Sequence, residues 1–171
     1  ELSIPEPHIN LEAGSGSQAS QTAAIMTRFE EDLIAHPADF VIVVGDVNST
    51  LACAIVAKKL HTKVVHIEGG IRSWDQRMPE EINRMVTDSI TDHFFTTSEL
   101  AGNNLRREGH TEDKIHFVGN TMIDTLLHLR ERFEQPPFWN DLGLEKGKYL
   151  LMTLHRPSNV DNPEILKSIL N

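Results

Sequence analysis

Ionisable side chains follow directly on apolar runs at several places in this chain. Asp46 closes "DFVIVVGD", Glu68 closes "KVVHIEGG", and His155 and Arg156 close "YLLMTLHR". Shortly after Glu68, "MPEEINR" brings Glu80, Glu81 and Arg84 to the start of a helical pattern. Carboxylates and imidazoles take and return protons, and arginine forks grip anions. Each residue also has a structural reading. Asp46 with Asn48 and Ser49 fits turn and helix-cap chemistry, with Asn48 or Ser49 as the cap. Glu68 has Arg72 nearby as a partner. Glu80 and Glu81 suit the positive end of a helix dipole, and Arg84, four residues after Glu80, offers an intrahelical ion pair. His155 can pack against a linker.

The elements that must position these groups are legible from periodicity. Residues 18–35 repeat apolar positions at a helical spacing, and Pro37 ends them. "DFVIVVGD", "KVVHIEGG", "HFFTTS" and "KIHFVGN" are short β-branched or aromatic runs closed by turn residues, the mark of buried parallel strands. Between and after them, "STLACAIVAKKLHT", "PEEINRMVTDSI", "SELAGNNLRREG" and "TMIDTLLHLRERFE" have helical spacing. Strand and helix alternate with short connections. The fold class is α/β, a Rossmann-like doubly wound parallel sheet with helices on both faces. In such sheets ligands bind beyond the carboxyl ends of the strands, where Asp46, Glu68 and the Gly119–Asn120 turn lie. "GSGS" at residues 14–17 precedes a helix and could cradle phosphate, but no GxGxxG pattern accompanies it. "QPPFWNDLGLEKGK" breaks the rhythm and reads as a linker, after which "YLLMTLH" reads as a strand and "NPEILKSIL" as a helix. Three regions are expected: residues 1–134, a linker at 135–147, and the start of a second domain at 148–171.

Composition narrows the classes. With 171 residues, 39% hydrophobic and 24% charged, the chain suits a globular protein. A formal charge of −9 argues against a general nucleic-acid binder. No apolar run is long enough for a membrane span. Cys53 is the only cysteine and sits in an apolar helical pattern, so it reads as a packed thiol in a reducing, cytoplasmic setting. The histidines show no HExxH spacing and have no cysteine partners, so no metal site is expected. Glu1 in place of a starting methionine, and a helical pattern still running at Asn171, suggest a piece of something longer.

In order, "VVGDVNST", "HIEGGIRS", "MPEEINRMVTD", "VGNTMIDTLL" and "TLHRPSNVDNPE" resemble the non-hydrolysing UDP-N-acetylglucosamine 2-epimerases over nearly the whole chain. The resemblance implies two Rossmann-like domains in the GT-B arrangement, with a nucleotide-sugar cleft between them, in a cytoplasmic homodimer. It implies interconversion of UDP-N-acetylglucosamine and UDP-N-acetylmannosamine for surface polysaccharide synthesis. UDP would leave carbon 1 as the carbon 2 proton is removed, giving a 2-acetamidoglucal, and would add back after protonation from the other face. No cofactor is needed for that route. Carried over by motif, Asp46, Glu68 and Glu80 look like the acid–base carboxylates and His155 like the catalytic or diphosphate-side histidine. Arg84 and Arg156 look like substrate-binding charges. The resemblance also places a first βα unit before Glu1 and the uridine-diphosphate site after Asn171, so the isolated piece is expected to be inactive. Where some bacterial members carry an Arg-Gln pair used by an activating second substrate, this chain has Ser17-Gln18. Rival readings are a hydrolysing 2-epimerase, a GT-B glycosyltransferase, and a non-catalytic binding or assembly module.

Overall fold

The computed structural model describes residues 4–170, which fall into one compact unit ending at Leu127 and a second beginning at His128. In the first unit the order is α1 (Gln18–Ala35), β1 (Phe40–Val44), α2 (Asn48–Lys59), β2 (Lys63–Ile67), α3 (Pro79–Ile90), β3 (His93–Thr96), α4 (Glu99–Arg107), β4 (Ile115–Phe117) and α5 (Thr121–Leu129). The last residues of α5 cross into the second unit. That unit continues with a 3₁₀ turn at Arg130–Arg132, then α6 (Phe138–Asp141), α7 (Pro157–Val160) and α8 (Pro163–Leu170).

The strands form one parallel sheet in the order β1-β2-β3-β4. Register pairs Val41 with Val64, Val43 with His66, His66 with Phe94, and Phe94 with Ile115, so these residues share a face. On that face Val41, Val43 and Val64 pack with Leu33 of α1 and with Ala54, Val56 and Ala57 of α2. Phe94 and Ile115 pack with Leu105 of α4. Removing such a side chain from water contributes about 1.5–3 kcal/mol each. The opposite face carries Phe40, Ile42 and Val44, exposed at 47%, 61% and 53%. The parallel α/β class therefore matches the sequence pattern, but α1 to α4 gather on one face of this four-stranded run where the sequence pattern predicts helices on both. Consecutive strand order makes the three crossovers alike, and right-handed crossovers bring α2, α3 and α4 to the same side, where α1 packs against α2.

Local chemistry differs from the sequence reading at three places. Neither Asn48 nor Ser49 caps α2. The cap position is Val47, which makes no side-chain cap bond, while Asn48 Nδ2 donates to Gln21 Oε1 at 2.8 Å. The "GSGS" stretch serves a helix start: Ser17 Oγ accepts from the Ser20 amide at 3.2 Å, and the Gly14 carbonyl accepts from Gln21 Nε2 at 2.9 Å. Residues 149–155 are not a strand. Leu150 and Leu151 are 99% and 88% exposed. A strand needs a neighbour for its backbone groups, and among the described residues of the second unit there is none.

Candidate active site

The carboxyl ends of β1 and β2 lie side by side. Val44 pairs with Ile67, and the Gly45 amide donates to the Ile67 carbonyl at 3.1 Å. The next residues are Asp46 and Glu68. Gly45 has a φ of 70° and turns the chain sharply out of β1. Glu68 also has a φ of 70°, a left-handed conformation that is strained for a residue with a side chain. Its amide is fixed on the Phe95 carbonyl at 2.9 Å. Glu68 Oε2 stands 3.8 Å from the position a Cβ on Gly45 would occupy. The two strand ends therefore present Asp46 and Glu68 from one rim, both half-buried.

The start of α3 closes this rim. Arg84 Nη2 pairs with Asp46 Oδ2, and Arg84 Nη1 pairs with Glu81 Oε2 at 2.8 Å. Asn83 Nδ2 donates to the Asp46 carbonyl at 2.8 Å and to Asn48 Oδ1 at 3.3 Å. Burial works against the Arg84 charge, but the Glu81 hydrogen bond and the Asp46 charge overcome it and raise its pKa. Arg84 thus pairs with Glu81 and not with Glu80, which is exposed on the first turn of α3. The reason is packing. Glu81 is fully buried, and its oxygens also accept the Ser73 and Trp74 amides at 3.0 and 2.9 Å. Burial pushes the Glu81 carboxyl up, but these bonds outweigh it and hold the group below its usual range. Glu81 therefore anchors the loop that follows the Glu68 turn.

Arg72 does not pair with Glu68 either. Its side chain is buried between Asp88 Oδ2, at 2.7 Å, and Glu108, whose oxygens accept at 2.8 and 2.5 Å. Asp88 also accepts from the Gly70 amide at 2.9 Å and contacts His66 Nδ1 at 2.6 Å. Gly70 cannot carry a side chain: a Cβ there would sit 2.4 Å from the Ala101 carbonyl oxygen. An open cavity of about 540 Å³ adjoins the rim between α1 and the starts of α2 and α3, lined in part by Gln18, Thr22, Asn48, Ile82 and Asn83. His155 and Arg156 lie in the second unit, both exposed and directly ahead of α7. Burial pushes the Cys53 thiol up to about 11, which suits a packed side chain and not a nucleophile. Among the described residues no cluster of three or more His, Cys, Asp or Glu could hold a metal ion. No described helix is long and apolar enough to cross a membrane.

Of the residues the sequence singled out, the structure brings Asp46, Glu68 and Arg84 to this rim; the sequence reading took Glu81 only as a helix-start acid and did not single out Asn83, His66 or Asp88. The signal was present in α3. That helix buries Glu81, Asn83, Thr87 and Asp88 while leaving Ile82 and Val86 44% and 38% exposed. An apolar moment reads such a helix the wrong way round. His66 stands inside the otherwise apolar "KVVHI", where an imidazole must find buried partners.

A parallel α/β sheet with carboxylates at adjacent strand ends, one of them braced by an arginine, defines a Rossmann-like domain with an acidic rim. The chain belongs to the UDP-N-acetylglucosamine 2-epimerase family, whose model matches residues 1–171. The UDP-N-acetylglucosamine 2-epimerase of Methanocaldococcus jannaschii is 45% identical, over 99% of this chain and 47% of that protein. The UDP-2,3-diacetamido-2,3-dideoxy-D-glucuronate 2-epimerase of Pseudomonas aeruginosa is 39% identical, over 99% of this chain and 48% of that protein. A crystal structure of the M. jannaschii enzyme in complex with UDP-GlcNAc and UDP matches with a TM-score of 0.86 at 44% identity, over 98% of this chain and 46% of that one. The chain spans about half the length of the curated relatives it matches.

Proposed function

We propose that this chain is the larger part of the N-terminal domain, with residues 135–147 as linker and 148–171 as the start of the C-terminal domain, of a two-domain, GT-B-type, non-hydrolysing UDP-N-acetylglucosamine 2-epimerase. The observation that carries this reading is the rim itself: Asp46 and Glu68 at adjacent strand ends, with Arg84 bracing Asp46 from α3.

Inverting carbon 2 of an acetamido sugar requires a base on one face of the ring and an acid on the other. The C2–H bond breaks, its electron pair forms the C1=C2 double bond, and the C1–O bond breaks with its pair leaving on UDP. Protonation of carbon 2 from the opposite face and return of UDP to carbon 1 complete the inversion. Asp46, Glu68 and Glu80 are the groups that exchange these protons. Arg84 fixes the Asp46 carboxylate, so that its position is set before substrate arrives. His155 and Arg156 serve the diphosphate side and assist loss of UDP. The steps balance without a redox cofactor. The enzyme works in the cytoplasm as a homodimer and supplies UDP-N-acetylmannosamine for polysaccharide synthesis. Residues 1–171 alone are inactive, because the uridine-diphosphate site belongs to the rest of the second domain.

The test is epimerisation by the complete protein in heavy water. Deuterium should appear at carbon 2 of the product, and free UDP should not accumulate as it would in hydrolysis. Asp46→Asn, Glu68→Gln and Glu80→Gln should each lower turnover by about 10²–10⁴-fold with little change in substrate affinity. Near-normal rates in all three would refute the assignment. The P. aeruginosa relative supports a second substrate reading, in which the sugar also carries an acetamido group at carbon 3. Offering both UDP-sugars and comparing kcat/KM decides between them.

A further inference from the structure

His66 is fully buried at the centre of the sheet, on β2 between β1 and β3. Both ring nitrogens have partners. Nε2 lies 2.8 Å from the Gly45 carbonyl oxygen, and Nδ1 lies 2.6 Å from Asp88 Oδ1. A carbonyl oxygen only accepts. Asp88 is an acceptor too: its Oδ2 takes the Gly70 amide and the Arg72 guanidinium, and although burial pushes its carboxyl up, its hydrogen bonds and the Arg72 charge hold it below its usual range. With an acceptor on each side, the ring is placed to donate from both nitrogens.

The partners are the turns that carry the two rim carboxylates. Gly45 immediately precedes Asp46. On the other side, Asp88 Oδ2 takes the Gly70 amide at 2.9 Å and the Arg72 guanidinium at 2.7 Å, so it holds the turn that begins at Glu68. The Gly70 carbonyl is held in turn by Asn104 Nδ2 at 3.0 Å. Gly69 packs on the same ring, where a Cβ would come within 3.3 Å of His66 Nδ1 and 2.9 Å of Phe94. The His66 ring spends both nitrogens on Gly45 and Asp88, so neither is left for a rim carboxylate. A buried charge network is costly unless every member is satisfied, and hydrophobic residues could fill this volume without that cost.

We propose that His66 is a positioning residue: its doubly donating ring, backed by Asp88, locks the Asp46 turn to the Glu68 turn and fixes the spacing of the two carboxylates. The inference rests on the epimerase reading for its catalytic meaning, while the clamp itself stands on this geometry.

Two substitutions split the clamp. In His66→Gln the side-chain amide reaches the Nε2 position and keeps the bond to Gly45. In His66→Asn the amide occupies the Nδ1 position, keeps Asp88 and frees Gly45. In the complete protein, His66→Asn should lower kcat for carbon 2 exchange by about 10²-fold with KM little changed, because misplaced groups lose rate before they lose binding. His66→Gln should exceed the Asn variant in kcat by about tenfold, because it keeps the Asp46 turn tied to β2 while Asp88 still holds the Gly70 amide through its own bond. A purely structural histidine would lower the unfolding midpoint of both variants and leave kcat of the folded protein at wild-type level. That result, or a Gln variant slower than the Asn variant, overturns the proposal. Nitrogen-15 shifts of the wild-type His66 ring give a reading that needs no variant to fold. Both nitrogens should carry a proton, and a bare nitrogen overturns the clamp. If the wild-type protein shows no carbon 2 exchange, the epimerase reading fails while the ring nitrogens still judge the clamp.

Discussion

Two aspartate–arginine pairs in the first unit have similar contacts and opposite surroundings. Asp75 and Arg77 meet at 2.8 Å on the surface, with the Arg77 side chain 90% exposed. Asp88 and Arg72 meet at 2.7 Å with both side chains fully buried. Both aspartates are shifted below their usual range. Asp75 is brought to about 2 chiefly by the Arg77 hydrogen bond, whereas Asp88 must first overcome burial, with help from His66 and Arg72. The surface pair joins residues two apart in one loop. The buried pair joins β2, the Glu68–Gly70 turn and α3. Contact distance therefore says little about consequence. What matters is whether water can replace the partner, and how much chain each partner holds in place.

That contrast can be broken from its strongest member down. Asp88→Ala leaves His66 and Arg72 buried without their shared carboxylate and should cost about 3–5 kcal/mol in urea unfolding. A loss no larger than that of a surface substitution would mean that the network does not hold the core. Glu81→Gln comes next. It weakens the grip on Arg84 and on the Ser73 and Trp74 amides and should cost about 1–3 kcal/mol, with faster amide exchange at residues 73 and 74.

Acid sharpens the same comparison. Asp88 and Glu81 have folded pKa values below their unfolded values, near 3.9 and 4.3 for unperturbed groups. Their contribution is therefore present above about pH 4 and is lost as pH falls through the folded values. Stability of the Asp88→Ala variant should vary less with pH below 4 than that of the wild type, read from urea midpoints. Parallel slopes would remove Asp88 from the acid-labile groups. The smallest effect belongs to Arg77→Ala. The unfolding midpoint should stay put while the Asp75 pKa, followed by NMR titration, rises from about 2 toward the ordinary carboxylate range.

Much of the candidate site could be read before any coordinates. Asp46 and Glu68 follow strand patterns whose apolar runs and terminal glycines are local features, and both residues emerge at adjacent strand ends. Arg84 was legible as a charge on the right helix, though not its partners. Glu81 was not separable from Glu80, because adjacent helical residues differ only in which face they present. His66 was hidden by its neighbours, since a histidine in an apolar strand gains meaning only from what packs above it.

By itself the sequence determined the alternation of strands and helices, their near-boundaries, and the acidic character of the rim. Those depend on periodicity and turn chemistry over a few residues. Only the tertiary structure decided that α1 to α4 share one face of the sheet, that residues 149–155 form no strand, and which acid meets which base. Asp46 reaches Arg84 across 38 positions, and Arg72 reaches Glu108 across 36. Arg72 has Glu68 within four residues and still binds Asp88 and Glu108, because packing buries its guanidinium against Asp88, which has no water to turn to, with Glu108 closing the other side. Pairings of that reach are set by strand order and helix packing, which no short window of sequence contains.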